Sequence, residues 1–475
     1  MTSTNLLQRV FNKNLLVDIR FWILAFALLR LYGITYPPLE VAHNWRQTTV
    51  TMVARNFYEI SPDILHPRID IAGDKTGITG MEFPLFNYLI YLVSLFFGYE
   101  HWYGRLINLA VSSLGIFFFF KLAKKYFRPD IAFYAAFILL VSFWFSYSRK
   151  IMPDTFASSL VLISLYYGSN YLDKKASNIN LLFYFLFGLA GMLAKLPVAY
   201  FWIFYAILFY SKDVTLRKKF IFSIVSVTLA IPVYYWYFIW VPHLVEAYGF
   251  WHFYMGDPFV KGIKDAVAYY PRILNHFYES AIRYSGFIMM LTGIFYAFFK
   301  KNRILRAIFF LSLFAFTLIV FKSGRTFAFH SYYIIPFIPV LALFAAYGIS
   351  QIQNKKIVYG ILMLISIEGL LNQWNDFVIK PDEKALTHLE TDLNKVSNHD
   401  DLIVINSNNV PTPMYFAHRK GWVTSNENLL DKLYLETLKE KGCEFILVLK
   451  NTFGEDIPLN KEILFENEHY KVYKN

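Results

Sequence analysis

Residues 131–167, IAFYAAFILLVSFWFSYSRKIMPDTFASSLVLISLYY, contain two long apolar runs separated by a short polar connection. Only three charged residues occur in this stretch, and all of them lie in the connection: Arg149, Lys150 and Asp154. A helix needs about 20 mostly apolar residues to cross a bilayer. The pattern therefore predicts two membrane helices joined by a connection that carries charge.

The whole chain has the composition of a membrane protein. Of its 475 residues, 56% are hydrophobic, 20% aromatic and 17% charged, whereas an ordinary soluble domain has about 25% charged residues. A single cysteine excludes an intramolecular disulfide. The net charge of +12 is unevenly distributed, because residues 381–475 contain 11 Lys and Arg against 16 Asp and Glu. The basic residues of the remaining chain lie between apolar runs and form no continuous stripe, which argues against nucleic acid as a partner.

About eleven apolar runs along the chain are candidate membrane spans. Nineteen Lys and Arg fall in the short segments on one side of these spans, which predicts that this side is cytoplasmic. The N-terminus is then inside, and the loops 37–101 and 241–283 and the C-terminal tail are outside. The runs are centred near Ala27, Leu114, Leu139, Leu162, Phe187, Phe204, Val227, Ile294, Leu313, Leu341 and Met363.

The tail has the pattern of a small α/β domain. An amphipathic stretch at 384–395 precedes an apolar strand at 402–405, and a helical stretch at 429–441 ends at Gly442 before a strand at 445–449. Glycine is frequent just after a helix end. We therefore expect an all-α polytopic membrane domain over 1–375, with juxtamembrane helices in its first external loop, and an extracytoplasmic α/β domain over 376–475.

Most carboxylates of the membrane region fall on its predicted outer face, and three of them lie at predicted helix starts: Glu40, Glu82 and Asp154. Two are close to basic residues, since Arg46 follows Glu40 and Arg149 precedes Asp154. A carboxylate can take the proton from an attacking hydroxyl while cations neutralise a departing phosphate. This combination suits a reaction that expels a phosphate.

Simpler roles for these residues stay open. Asp154 after Pro153 could serve simply as a helix cap, and Glu82 could serve simply as a partner of a helix dipole. Trp251 belongs to an aromatic group that fits an interfacial belt as well as a sugar-stacking platform. His43 and His330 do not fall at the spacings of metal motifs.

Motifs at five places carry a family resemblance: Glu40 with His43-Asn44-Trp45-Arg46-Gln47, Glu82-Phe83-Pro84-Leu85, Gly104-Arg105-Leu106, Tyr147-Ser148-Arg149 with Met152-Pro153-Asp154, and His330-Ser331-Tyr332-Tyr333. In this order and spacing the chain resembles the bacterial branch of the GT-C glycosyltransferases. That branch is related to the dolichyl-phosphate-mannose protein mannosyltransferases and to the aminoarabinose transferase of lipid A. The resemblance covers most of residues 20–350, and segment 411–422 is similar to the C-terminal domain of the branch.

The resemblance implies an inverting transfer of a sugar from a polyprenyl-phosphate donor, undecaprenyl phosphate in bacteria, to a glycan, lipid or protein acceptor. It also implies action at the outer face of the bacterial inner membrane. By this resemblance the catalytic candidates are Glu40, Asp154 and Glu82, with Glu82 also the candidate ligand of a divalent metal ion, and no organic cofactor is implied. The candidates for binding the donor phosphate are Arg46, Arg149, Lys322, Arg325 and His330. The candidates for binding the acceptor or the sugar are His43, Trp45, Tyr332 and Trp251.

Two other functional classes stay open. One is a transporter or flippase of a lipid-linked sugar, and the other is a non-catalytic scaffold that binds through residues 418–422. Transporters often show paired repeats and ionisable residues near the bilayer midplane. No paired halves are visible, and apart from Arg30 and Glu368 the spans contain few charges, which favours the transferase.

Overall fold

The computed structural model describes residues 13–173, 177–211, 213–250 and 256–475. Contacts between residues divide the chain into two compact units. The first unit comprises Met1–Ile34, Arg105–Tyr235 and Tyr254–Trp374, and the second comprises Thr35–Gly104, Trp236–Phe253 and Asn375–Asn475. Each unit is thus assembled from three separate stretches of chain.

The first unit is helical. Two of its segments, Leu196–Phe204 and Ser331–Phe337, form 3₁₀-helices, and His276–Ala281 forms a π-helix. The α-helices that lie wholly or mostly in this unit are Lys13–Leu16, Ile19–Leu29, Tyr103–Tyr126, Pro129–Val141, Trp144–Tyr147, Pro153–Tyr171, Asn178–Ala194, Tyr205–Phe209, Leu216–Tyr235, Phe259–Ala268, Tyr270–Asn275, Arg283–Phe299, Arg303–Ser323, Arg325–Phe329, Ile338–Ile349 and Lys355–Gln373.

Among the described residues, five helical stretches are long and apolar enough to cross a membrane: Tyr103–Tyr126, Leu216–Tyr248, Arg303–Ser323, Ser331–Ile349 and Lys355–Phe377. A sixth results if the bent pair Tyr270–Ala281 and Arg283–Phe299 is one span. All eleven predicted centres lie in helices, but the predicted number of about eleven spans is not confirmed, because four of these centres lie in apolar helices of only 10–17 residues. The long apolar helices indicate an integral membrane protein.

The helix around Leu162 differs from the predicted apolar span. Pro153–Tyr171 has 19 residues but is not among the helices that are apolar enough to cross a membrane. It is buried along almost its whole length, and the hydroxyl of Ser164 donates to the carbonyl of Tyr184 at 2.7 Å. Its polar side chains are therefore tolerated because this helix lies inside the unit.

The second unit contains a five-stranded sheet with the order β2-β1-β3-β5-β4. Strand β1 pairs in parallel with β2 and β3, whereas β5 pairs antiparallel with β3 and β4. The strands are β1 (Leu402–Ile405), β2 (Gly421–Val423), β3 (Cys443–Leu449), β4 (Ile463–Glu466) and β5 (Tyr470–Lys474). The α-helices of this unit are Asn44–Glu59, Leu85–Phe97, Val241–Tyr248, Pro381–Lys384, Leu389–Leu393, Thr412–Ala417, Asn426–Leu430 and Lys432–Glu440. Trp236–Trp240 forms a π-helix, and Ala385–His388 forms a 3₁₀-helix. A further 3₁₀-helix, Trp374–Phe377, begins at the last residue of the first unit.

The predicted small α/β region is confirmed in outline. The predicted helix over 429–441 is interrupted at Asp431, because its carboxylate accepts from the backbone N–H of Leu433 at 2.9 Å and starts a new helix there. That helix ends just before Gly442, whose φ of +86° suits a glycine.

Segment 37–101, the predicted first external loop, and the C-terminal region share one hydrophobic core. Leu39 and Met52 from the loop are buried together with Leu389, Ile403 and Met414 from the tail. The hydroxyl of Thr48 lies 3.1 Å from that of Thr412, which adds a buried polar contact within the same unit. The predicted domain boundary at residue 375 stays a prediction, but the loop and the tail fold as one body.

Candidate active site

Asp154 lies at the start of an interior helix of the first unit. Met152 is extended, Pro153 occupies the first helical turn, and Asp154 follows with only 2% of its surface exposed. Its Oδ1 is 3.2 Å from the Nζ of Lys195. Its Oδ2 is buried and has no hydrogen-bond partner among the described residues. Asp154 therefore does more than cap its helix, because one oxygen holds a cation and the other is available to a ligand.

Lys195 was missed by the sequence analysis. It lies in an extended position between the helix Asn178–Ala194 and the 3₁₀-helix Leu196–Phe204. Its Nζ is 5.3 Å from the ring centroid of Tyr332 and 5.7 Å from that of Tyr333. It is the only charged residue between positions 181 and 210, and an isolated charge in an apolar stretch is a signal of function.

Tyr332 and His330 belong to the same cluster. The rings of His330 and Tyr332 are 5.5 Å apart, and Tyr332 is buried against Lys195. Burial, followed by the nearby charge of Lys195, lowers the pKa of His330. This shift favours the neutral form of His330, and its role at the donor phosphate stays a prediction.

The connection before Asp154 is held rigidly. Arg149 is buried and donates from Nη1 to the carbonyl of Tyr32 at 2.6 Å and from Nη2 to that of Gly33 at 2.9 Å. The Nδ2 of Asn108 donates to the carbonyls of Tyr147 and Lys150 at 2.9 and 2.8 Å. Arg149, a predicted phosphate ligand, thus makes backbone contacts that orient the connection.

Lys322 and Arg325 contact another part of the first unit. Lys322 donates to the carbonyl of Asp257 at 3.0 Å, and the backbone N–H of Arg325 donates to Asp265 at 3.1 Å. Both side chains are exposed. His330 and Tyr332 therefore lie in one cluster with Lys195 and Asp154. Lys322 and Arg325 instead contact the segment around Asp257.

The second unit contains the remaining predicted site residues. Glu40 is 1% exposed and its backbone forms an antiparallel bridge with Ile379. His43 precedes the helix Asn44–Glu59 with a φ of +66°, a left-handed conformation that is uncommon outside glycine. The ring of Trp45 lies 6.5 Å from that of His43. Trp251 lies outside the described residues.

Arg46 and Glu82 form a buried ion pair in the second unit. Among the described residues, no three His, Cys, Asp or Glu side chains come together in a set that could hold a metal ion. A divalent cation held at Glu82 stays a prediction, and no catalytic step is assigned to one.

An apolar cavity of about 380 Å³ lies in the first unit. Leu162, Phe201 and Pro339 are among the residues that line it. These three belong to, or directly continue, the elements that begin near Asp154, Lys195 and Tyr332. At 1.5 Å per residue, Leu162 is about 12 Å along the helix from Asp154. The same elements therefore provide a polar cluster and an apolar cavity one after the other.

Comparisons with known proteins agree with this architecture. Residues 81–236 match the family model described as dolichyl-phosphate-mannose-protein mannosyltransferase. The structure is similar to that of apo ArnT from Cupriavidus metallidurans, with a TM-score of 0.58 and 12% identity over 95% of this chain and 97% of that chain. ArnT bound to undecaprenyl phosphate gives a TM-score of 0.58 with 11% identity, over 95% and 98% of the two chains.

A third similar structure is the apo oligosaccharyltransferase of Archaeoglobus fulgidus, with a TM-score of 0.57 and 11% identity over 90% of this chain and 70% of that chain. The search of curated proteins found no match. The chain has the fold of the GT-C glycosyltransferases, so the predicted resemblance is confirmed.

Proposed function

We propose that the protein transfers a sugar from a polyprenyl-phosphate donor to a hydroxyl of a glycan, lipid or protein acceptor, with inversion at the sugar C1. The reaction takes place at the outer face of a bacterial inner membrane. The observation that carries the proposal is the succession of the polar cluster at Asp154 and Lys195 and the apolar cavity along the same elements.

This succession matches the chemistry of a lipid-linked sugar. Such a donor has a charged phosphate, a polar sugar and a long apolar chain. Lys195 provides a positive charge for the phosphate, and the rings of Tyr332 and Tyr333 provide flat surfaces beside it. The cavity of about 380 Å³ is within the range of small-molecule sites, and its apolar lining suits part of the isoprenoid chain.

The reaction is a single displacement. The acceptor oxygen attacks C1 of the sugar while the bond from C1 to the phosphate oxygen breaks. The acceptor proton passes to a carboxylate, and polyprenyl phosphate leaves with the bonding electron pair. Lys195 neutralises the charge that develops on the leaving oxygen. Asp154 orients Lys195 through Oδ1 and offers Oδ2 to a sugar hydroxyl.

We assign the role of base to Glu40. Asp154 contacts Lys195, the cation assigned to the phosphate, and so belongs to the leaving-group side. Glu40 is a buried carboxylate next to a left-handed turn at Ala42 and His43, and strained backbone of this kind clusters at functional sites.

Turnover of labelled polyprenyl-phosphate sugars by the purified protein in lipid tests the proposal. Wild type, Glu40→Gln and Asp154→Asn are compared, with Glu100→Gln and Asp63→Asn as matched substitutions at exposed acids. We expect wild type and both controls to release polyprenyl phosphate from at least one donor, and both site variants to lose release. Movement of intact donor across the bilayer without release would instead identify a flippase.

A further inference from the structure

A second cavity, with a polar lining, lies at the other end of the helix Pro153–Tyr171. It has a volume of about 770 Å³ and is lined by the beginning of the helix Ile19–Leu29 and by the ends of the helices Tyr103–Tyr126 and Pro153–Tyr171. Asp154 is at the start of Pro153–Tyr171, whereas Asn170 and Asp173 line this cavity at its end. From Asp154 to its last residue, Tyr171, this helix rises about 26 Å. This cavity is therefore distinct from the candidate active site.

The cavity has an excess of positive charge. Its charged lining residues are Asp18, Arg20, Lys121, Lys124, Lys125 and Asp173. Arg20 pairs with Asp18 at 2.5 Å, and Lys125 pairs with Asp173 at 2.7 Å. Neither Lys121 nor Lys124 forms an ion pair within the described part of the chain. Two cations thus remain after the pairs are counted.

Lys121 and Lys124 lie beside aromatic rings. The Nζ of Lys121 is 4.7 Å from the ring centroid of Tyr166 and 5.6 Å from that of Phe117, and the Nζ of Lys124 is 5.8 Å from that of Phe120. Phe117 and Phe120 also line the cavity. The wall is therefore basic at the helix end and apolar toward the helix interior.

We propose that this cavity binds the phosphate headgroup of an anionic membrane lipid. The phosphate lies between Lys121 and Lys124, and the upper part of an acyl chain lies against Phe117 and Phe120. The basic connections on this side are those that predict a cytoplasmic location, and basic pockets between membrane helices are suited to lipid phosphates. A soluble phosphate would use the lysines but would gain nothing from the apolar wall.

Native mass spectrometry of the full-length protein in detergent, titrated with phosphatidylglycerol, tests the site. Each lysine near a lipid phosphate is worth about fivefold in affinity, so Lys121→Ala/Lys124→Ala should weaken binding about 25-fold. Lys121→Arg/Lys124→Arg should retain it. Lys355→Ala/Lys356→Ala removes two cations from another basic connection, one of them also beside a tyrosine, and should change affinity less than about twofold.

Two further titrations identify the source of the phosphate. Phosphatidylcholine should bind more weakly than phosphatidylglycerol, and inorganic phosphate should not displace the bound lipid. Displacement by inorganic phosphate, or equal binding by the Lys121→Ala/Lys124→Ala variant with an unchanged unfolding temperature, would overturn the proposal. The test does not depend on glycosyl transfer, so its failure leaves the proposed function intact.

Discussion

Asp70 in the second unit and Asp154 in the first are both buried carboxylates beside a cation, but their hydrogen bonds differ. Asp70 accepts from Arg55 at 2.9 Å through Oδ2 and from Asn56 at 2.7 Å through Oδ1. Asp154 uses Oδ1 for Lys195, and its Oδ2 has no hydrogen-bond partner among the described residues. A buried carboxylate whose oxygens both accept hydrogen bonds stabilises a fold. A buried oxygen without a hydrogen bond costs free energy unless a ligand donates one to it. The comparison separates a structural acid from a functional one.

The largest expected effect comes from removing the negative charge of each acid. Asp154→Asn should lower turnover at least about 100-fold and should destabilise the protein less than Asp70→Asn does, because the side chain of Lys195 is more exposed than that of Arg55. Asp70→Asn should lower the free energy of unfolding by about 3 kcal/mol, because it leaves the buried charge of Arg55 without its partner. Measurements of turnover and of thermal unfolding on both variants distinguish the loss of activity from the loss of stability. If Asp154→Asn unfolded the protein and kept specific activity, the comparison would fail.

Substitution of the phosphate-binding cation and substitution of the base should affect different quantities: donor binding in the first case and the rate of the chemical step in the second. Lys195→Met removes the cation assigned to the phosphate and should weaken binding of polyprenyl phosphate about tenfold. Glu40→Gln should leave that binding within about twofold and lower kcat about 100-fold, because only proton removal is lost. Equilibrium binding and steady-state kinetics distinguish these effects. Equal loss of binding in both variants would contradict the assignment of the base.

A smaller effect is expected from His418, which links segments of the second unit. Its Nδ1 lies 2.7 Å from Glu390 and its Nε2 2.9 Å from Glu59. Burial alone would lower the pKa of His418, but the hydrogen bonds to Glu390 and Glu59 raise it overall. The stabilisation is then complete below the unfolded pKa of about 6.5 and is lost as the pH rises through the folded value.

Hydrogen exchange of residues 412–423 at different pH values measures this link. Wild type should lose about 1 kcal/mol of protection on going from pH 6 to pH 9, and His418→Gln should lose much less. A pH dependence that is equal in both proteins would show that other groups cause it.

The smallest expected effect comes from the apolar cavity. Ile308→Trp places a larger side chain in its lining and should raise KM for a long-chain donor about fivefold, with little change for a donor with a short isoprenoid chain. Leu318→Trp, on the same helix but 41% exposed, is the matched control. An equal rise in KM for both donors would show that the cavity does not bind the isoprenoid chain of the donor.

Much of the fold could be predicted because long apolar runs and short buried strands leave clear patterns. All eleven predicted centres lie in helices, and strand β1 was predicted with its observed bounds. Strands β2, β4 and β5 were missed, because they are three to five residues long and include charged residues or a glycine. The shared core of the first loop and the tail was also missed, because contacts between residues such as Leu39 and Ile403 depend on tertiary packing.

The candidate site could be predicted only in part. Asp154 and Tyr332 were identified by their motifs, but Lys195 was not, because it lies 41 positions along the chain from Asp154 and follows an apolar helix. Arg149 was identified by its motif, and its Nη atoms donate to backbone carbonyls; its role at the donor phosphate stays a prediction. The sequence alone does not show which basic side chains donate to backbone carbonyls.

The most direct test of the central claim is single-turnover release of polyprenyl phosphate by wild type and by Asp154→Asn at saturating donor. The account predicts that wild type releases one polyprenyl phosphate for each sugar transferred and that the variant, still folded, loses at least about 99% of the rate. Unchanged release by the folded variant would contradict the claim that the open oxygen of Asp154 marks the reaction centre.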